Sequence, residues 1–352
     1  MEIVMHKKRQ VNFELLRILC MYMIVIGHCL FHGRVTAKLG YGTVNYFLSY
    51  LIQSFSVVHV NCFVMIGGYF AIDRSFKSER AIKLWKQVAF YSFNIFLLSA
   101  LFGQAGWADG VKAILPISSK TYWFASVYMA IVLLMPFVGM IATRISKRQY
   151  QYLLVLLAWF LSVNHMLFQT DTYGSFNGRD LPGFLFLVLL AGYVKLHMKA
   201  DRKYVLRGIL GYVGCSLLVL ASVYASVELH LEDTGYFLNY NSPLALLSAF
   251  SLFVAVRNFS WKETRFDGLI LKVAGAAFGV YLIHDNYLIL TGVILECGRL
   301  NNRHLSRLSL SSSPRLMRIS SAGTPASFNC SSFICLWVEV AGFRQQVLAS
   351  AT

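Results

Sequence analysis

Three residues in the first apolar stretch, VNFELLRILCMYMIVIGHCLFHG (11–33), carry groups that can do chemistry: Glu14, Arg17 and His28. A neutral imidazole is the side chain best matched to taking a proton from a hydroxyl near neutral pH. A guanidinium pairs with oxyanions, and a carboxylate can hold that guanidinium in place. Arg17 and His28 stand eleven positions apart. That is close to three helical turns, so both lie on one face, about 16 Å apart along the axis. Glu14, three before Arg17, shares that face, as does Ile24. Ionisable groups are costly in hydrocarbon, so the stripe must turn toward protein or a wet cavity. The plainer readings are a surface ion pair for Glu14 and Arg17 and a packing hydrogen bond for His28.

The elements that must position these groups are membrane helices. The 352 residues are 57% hydrophobic and 14% charged, with mean hydropathy +0.57, too apolar for a soluble domain. Runs near the length needed to span a bilayer occur at Phe13–Phe31, Tyr50–Ile72, Leu84–Phe102, Tyr122–Ala142, Tyr150–Phe168, Leu181–Leu196, Gly208–Val227, Pro243–Val256 and Val273–Gly292. The expected fold is therefore an all-α polytopic transmembrane helical bundle of about nine spanning helices. Charge agrees with this division. With the N-terminus cytoplasmic, inner segments hold clusters such as Arg74 to Lys86 and Lys195 to Arg207. The outer loops then hold only Arg34, Lys38, Lys112, Lys120 and Arg179, as the positive-inside rule requires.

This placement also disposes of the net charge of +16. In a soluble protein it would suggest nucleic acid; here the basic residues fix topology, and the expected partner is the lipid bilayer. The seven Cys are scattered without a CxxC pair, so neither a zinc site nor a disulfide framework is indicated, and no metal is expected. Neither GxGxxG nor a Walker pattern occurs, which removes nucleotide hydrolysis. Near Glu296 the composition changes: basic residues become all Arg and Ser clusters appear. Residues 1–295 are read as the membrane domain. Residues 296–352 are read as a divergent Ser/Arg-rich tail, frame-shifted or disordered.

Four ordered motifs add a resemblance. Arg17 and His28 follow Glu14, Leu15 and Leu16. VNCFVMIGGYF (60–70) has Gly67 before Gly68 and Tyr69. TYWFASVYMAIVLLMPF (121–137) opens a helix on Tyr122 and Trp123, and FGVYLIHDN (278–286) holds His284 and Asp285. In order and spacing these resemble the acyltransferase-three family of integral-membrane O-acyltransferases over roughly residues 9–290. Three departures stand out: Gly67 replaces a usual Ser, the basic stretch Arg74 to Lys86 lacks the commoner Arg-rich, Pro-ended form, and the final helix expected after the His motif is missing.

The resemblance implies transfer of an acyl group, usually acetyl from acetyl-CoA, onto a hydroxyl of an envelope polysaccharide or lipid-linked sugar in the bacterial plasma membrane. No cofactor is bound; acyl-CoA is the donor substrate and a carbohydrate the acceptor. His28 is then the expected catalytic base and Arg17 its essential partner, with Glu14 beside it. The separation along the helix argues against direct contact between Arg17 and His28. His284, Asp285, Tyr122 and Trp123 are candidates for an outward acceptor vestibule, with an aromatic belt and packing hydrogen bonds as the plainer alternatives. Arg74, Arg80, Lys83 and Lys86 are candidates for the donor phosphates, against a purely topological role. His59 and Asn61, mid-span, are expected to make structural hydrogen bonds. The rival classes are a transporter, disfavoured because no internal repeat is visible, and an inactive truncated product.

Overall fold

In the computed structural model, residues 9–32, 39–168, 173, 177–231 and 235–290 are described. Their regular secondary structure is entirely helical. Helices α1 (Val11–His32), α2 (Val44–Ser56), α3 (His59–Ala71) and α4 (Ser78–Leu101) are followed by the short α5 (Trp107–Ile114) and by α6 (Trp123–Arg144). Next come α7 (Lys147–Ala158), a π turn at Trp159–Val163, and α8 (Asn164–Phe168). The last four are α9 (Leu181–His197), α10 (Lys203–Glu228), α11 (Pro243–Asn258) and α12 (Asp267–His284). Each expected span falls on one or more of these. Seven stretches of the described residues are long and apolar enough to cross a membrane, and Leu181–His197 is a shorter apolar helix. The helix at the third expected span forms but is not among the seven, because Lys86, Gln87 and Asn94 dilute its apolar content. The boundary expected at 295 lies outside the described residues.

Local chemistry sets the ends. Ser146 caps α7 by accepting from the Gln149 amide, while the Gln149 side chain accepts from the Ser146 amide, a reciprocal capping box. Asp180 caps α9 through the Gly183 amide at 2.8 Å, with Pro182 in its first turn. Ser242 caps α11 through the Ala245 amide at 3.1 Å, directly before Pro243; proline is tolerated at these positions because first-turn amides lack helical partners anyway. The second expected span is two helices rather than one. Thr43 caps α2, a turn intervenes at Val57 and Val58, and α3 restarts at His59, whose Nδ1 hydrogen bonds the Ser56 carbonyl.

The described chain divides into two compact units, Met1–Trp85 with Trp123–Phe278, and Lys86–Tyr122 with Gly279–Thr352. In the first, Phe13 packs against Tyr69, Phe70 and Phe253. Asn12 donates to the Val256 carbonyl at 2.8 Å, and Arg257 to the Met198 carbonyl at 2.8 Å. The start of α1 therefore lies with the ends of α3, α9 and α11. His28, roughly 24 Å further along α1, points to the opposite end, where α6, α9 and α11 begin. Helices α10 and α11 meet through small residues, Ser216 and Ser248 bonding at 3.1 Å, a mode suited to membranes because small side chains let backbones approach.

Candidate active site

Helix α1 is continuous, so Arg17 and His28 remain about three turns apart. Its chemical stripe faces inward: Glu14 and Ile24 are 4% and 7% exposed, while Leu19 and Tyr22 on other faces are 41% and 56% exposed. His28 is half-buried. Arg17 Nη1 donates to both Glu14 oxygens at 3.0 Å. Arg9 Nε lies 3.9 Å from the same carboxylate. Burying a carboxylate without a charge partner is costly, and the pairing holds Arg17 in turn.

Against α3 stands a residue that the motif spacing does not single out. Tyr128, on α6, stacks on Phe124 with centroids 5.7 Å apart and planes within 9°. Its hydroxyl lies against the α3 backbone: a Cβ placed on Gly67 would stand 2.4 Å from Tyr128 Oη. The Arg17 and Arg80 guanidinium groups both act electrostatically on that hydroxyl. One phenol thus fills the space that Gly67 leaves, within electrostatic reach of Arg17 and Arg80. The departure at Gly67 was the available signal, but nothing local to Tyr128 announces a contact with a residue sixty positions earlier. Arg74 and Lys83 are exposed in the same unit; Lys86, also exposed, belongs to the second.

At the far end of the first unit Trp123 is half-buried, with its ring set edge-on to Phe124 and Phe184 and nearly parallel to Tyr240. His59 takes the structural role expected of it. Its Nδ1–H donates to the Ser56 carbonyl, which leaves Nε2 to accept from the Tyr240 hydroxyl at 3.1 Å. Asn61 donates to the Tyr240 carbonyl at 2.9 Å. An apolar groove of about 330 Å³ lies at the opposite end, between the start of α1 and the end of α11, lined by Leu15, Leu19, Val256 and Trp261 among others. None of the expected site residues lines it.

The second unit holds His284, Asp285 and Tyr122. Tyr122 is fully buried. Its hydroxyl donates to the Leu282 carbonyl at 2.9 Å and accepts from Asn286 Nδ2 at 2.6 Å. This corrects the expectation of a sugar-facing ring: the phenol has no open face and instead secures the chain where α12 ends. His284 is also buried, at 3% exposure, with Nδ1–H donating to the Val280 carbonyl at 2.7 Å. Asp285 is half-buried and acts electrostatically on Tyr122. On the loop side, Asp109 accepts from the Gly106 amide at 3.0 Å and from the Tyr287 hydroxyl at 2.8 Å. The Gly106 amide first, then the Tyr287 hydroxyl, holds its carboxyl below the ordinary value.

Among the described residues, no group of three or more His, Cys, Asp or Glu is arranged to hold a metal ion. What the first unit offers is a half-buried imidazole on one helix, a carboxylate-anchored guanidinium three turns away, and a phenol set against Gly67. That set can move a proton and hold an anion. Among curated proteins and among solved structures, none matches the chain. A family model described as an acyltransferase domain, the acyltransferase-three model, matches residues 10–308, taking in every element described above. The chain belongs to the acyltransferase-three family of membrane acyltransferases.

Proposed function

We propose that the protein is an O-acyltransferase of the bacterial inner membrane, with its N-terminus in the cytoplasm. It moves an acyl group, acetyl in the first instance, from acyl-CoA to a hydroxyl of an envelope polysaccharide or lipid-linked sugar. His28 accepts the proton of the acceptor hydroxyl as its oxygen bonds to the thioester carbonyl carbon. The carbon–sulfur bond then breaks, and the departing thiolate takes the proton back from the imidazolium, so the base is regenerated. Arg17, held by Glu14, sits on the donor side and balances its negative charge. Arg80, Arg74, Lys83 and Lys86 supply cations for the phosphates. His284 and Asp285 remain proposed acceptor-side groups.

The observation that supports this reading is the buried side of the α1 stripe, where Glu14 and Ile24 are enclosed and His28, on the same face, is half-buried. The test is transfer of radiolabel from acetyl-CoA to a panel of envelope glycans by the purified full chain in lipid nanodiscs. Label on glycan hydroxyls that is lost with His28→Ala, at unchanged thermal stability, supports the assignment. Label that appears at the wild-type rate in His28→Ala defeats it.

A further inference from the structure

The first unit contains a second constellation that none of the chemistry above uses. Arg179, in the segment leading into α9, is exposed. Its guanidinium carbon lies 5.7 Å from the Trp123 ring centroid and 5.5 Å from that of Tyr240. The two rings are nearly parallel, 16° apart in plane, with centroids separated by 6.4 Å. Among the described residues no carboxylate lies within ion-pair distance of Arg179.

The platform is rigid. Tyr240 is tied at three atoms: its hydroxyl to His59, its carbonyl to Asn61, and its amide to the Asn177 carbonyl at 3.2 Å. Gly178 lets the Arg179 segment lie on it. Its φ is +73°, and a Cβ there would stand 2.7 Å from the Asn241 nitrogen and 3.0 Å from Tyr240 Cβ. Next to Tyr240, Asn241 reaches the Leu161 carbonyl at 3.4 Å, inside the π turn of the fifth span, a local distortion often kept at working sites. Asn61 Oδ1 is buried and has no hydrogen-bond partner among the described residues. Five segments distant in sequence thus converge to hold two aromatic faces and one cation at the end of the unit where α6, α9 and α11 begin.

Aromatic faces suit the apolar C–H face of a sugar ring, and a fixed guanidinium suits a carboxylate or phosphate through paired hydrogen bonds. We infer that Trp123, Tyr240 and Arg179 form a binding site for an acidic saccharide, the sugar ring lying on the aromatic pair and its oxyanion meeting Arg179. The inference rests on the acyl-transfer reading in one respect only: it makes the ligand the acceptor. The oxyanion has two sources, a uronate carboxylate in a polysaccharide or the phosphate of a lipid-linked sugar.

The test is calorimetric titration of the purified full chain in nanodiscs with three probes: hexagalacturonate, the neutral galactose hexamer, and glucose 1-phosphate. The wild type should bind at least one acidic probe about tenfold more tightly than the neutral hexamer, the difference of one charge-assisted contact. Tighter binding of hexagalacturonate assigns the site to a uronate, and of glucose 1-phosphate to a carrier-linked sugar. Arg179→Gln should erase the acid preference, and Trp123→Leu should weaken all three, both at unchanged melting temperature. A wild type that binds the neutral hexamer as tightly as the acids, or binds none of the three, overturns the inference; so does an Arg179→Gln protein that keeps the preference. Failure of the acyl-transfer reading shows separately, as absence of label transfer from acetyl-CoA, and leaves these titrations interpretable.

Discussion

Replacing Gly67 with alanine probes the contact between α3 and α6 at Tyr128. The added Cβ would lie 2.4 Å from Tyr128 Oη, roughly 1 Å inside ordinary van der Waals contact. The phenol cannot swing freely, because its ring is stacked on Phe124. Overpacking of this kind costs about 1–3 kcal/mol. Tyr128→Phe removes the clashing atom, leaving ring carbons 3.1 and 3.2 Å from the new methyl, a conflict that shifts of a few tenths of an ångström relieve. The two substitutions should therefore couple: Gly67→Ala destabilises by about 1–3 kcal/mol, and the double variant recovers about 1–2 kcal/mol of that loss. The assay is reversible unfolding in mixed micelles for the wild type, both single variants and the double, read by near-ultraviolet circular dichroism. Effects that add to within about 0.5 kcal/mol would refute the placement of the Tyr128 hydroxyl against Gly67, and with it the contact between α3 and α6 there.

Three further outcomes follow from the same geometry. Glu14→Gln should destabilise by about 1–3 kcal/mol, less than a fully buried pair would because Arg17 keeps 27% side-chain exposure; it should also raise the KM for acyl-CoA, both readable in one nanodisc preparation. Tyr122→Phe should cost about 1–3 kcal/mol, read as a lowered unfolding free energy, by stranding the Leu282 carbonyl and the Asn286 amide. Asp109 has a folded-state acidity depressed by the Gly106 amide and the Tyr287 hydroxyl. Its ionised form therefore adds stability at and above the ordinary carboxylate range, and that contribution disappears as pH falls through the depressed value. The melting difference between wild type and Asp109→Asn should be steady near neutrality and shrink below about pH 4.

Helices were the legible part of this chain, because length and apolar content decide them locally. Each of the expected spans meets a helix, and the stripe of Glu14, Arg17 and His28 could be placed on one face from periodicity alone. Three features were hidden for the same physical reason: they depend on contacts between residues far apart in sequence. The interruption at Val57 and Val58 sits inside a stretch long enough to read as one span, and His59 is fixed there by Tyr240, far along the chain. Tyr128 matters because α3 and α6 cross at Gly67. Tyr122 and Trp123 were read together as a sugar surface, yet neighbours in a chain do not face the same way. Tyr122 turns into packing around the end of α12, while Trp123 keeps an accessible ring beside Tyr240 and Arg179.

The central claim is that the His28 imidazole accepts a proton from the acceptor hydroxyl. Its most direct test is chemical rescue: transfer of label from acetyl-CoA by His28→Ala, measured with and without added imidazole. The account predicts a loss of about 100-fold or more in the rate, with unaltered acyl-CoA affinity, and partial recovery that grows with imidazole concentration. Transfer by His28→Ala at the wild-type rate without imidazole would contradict it.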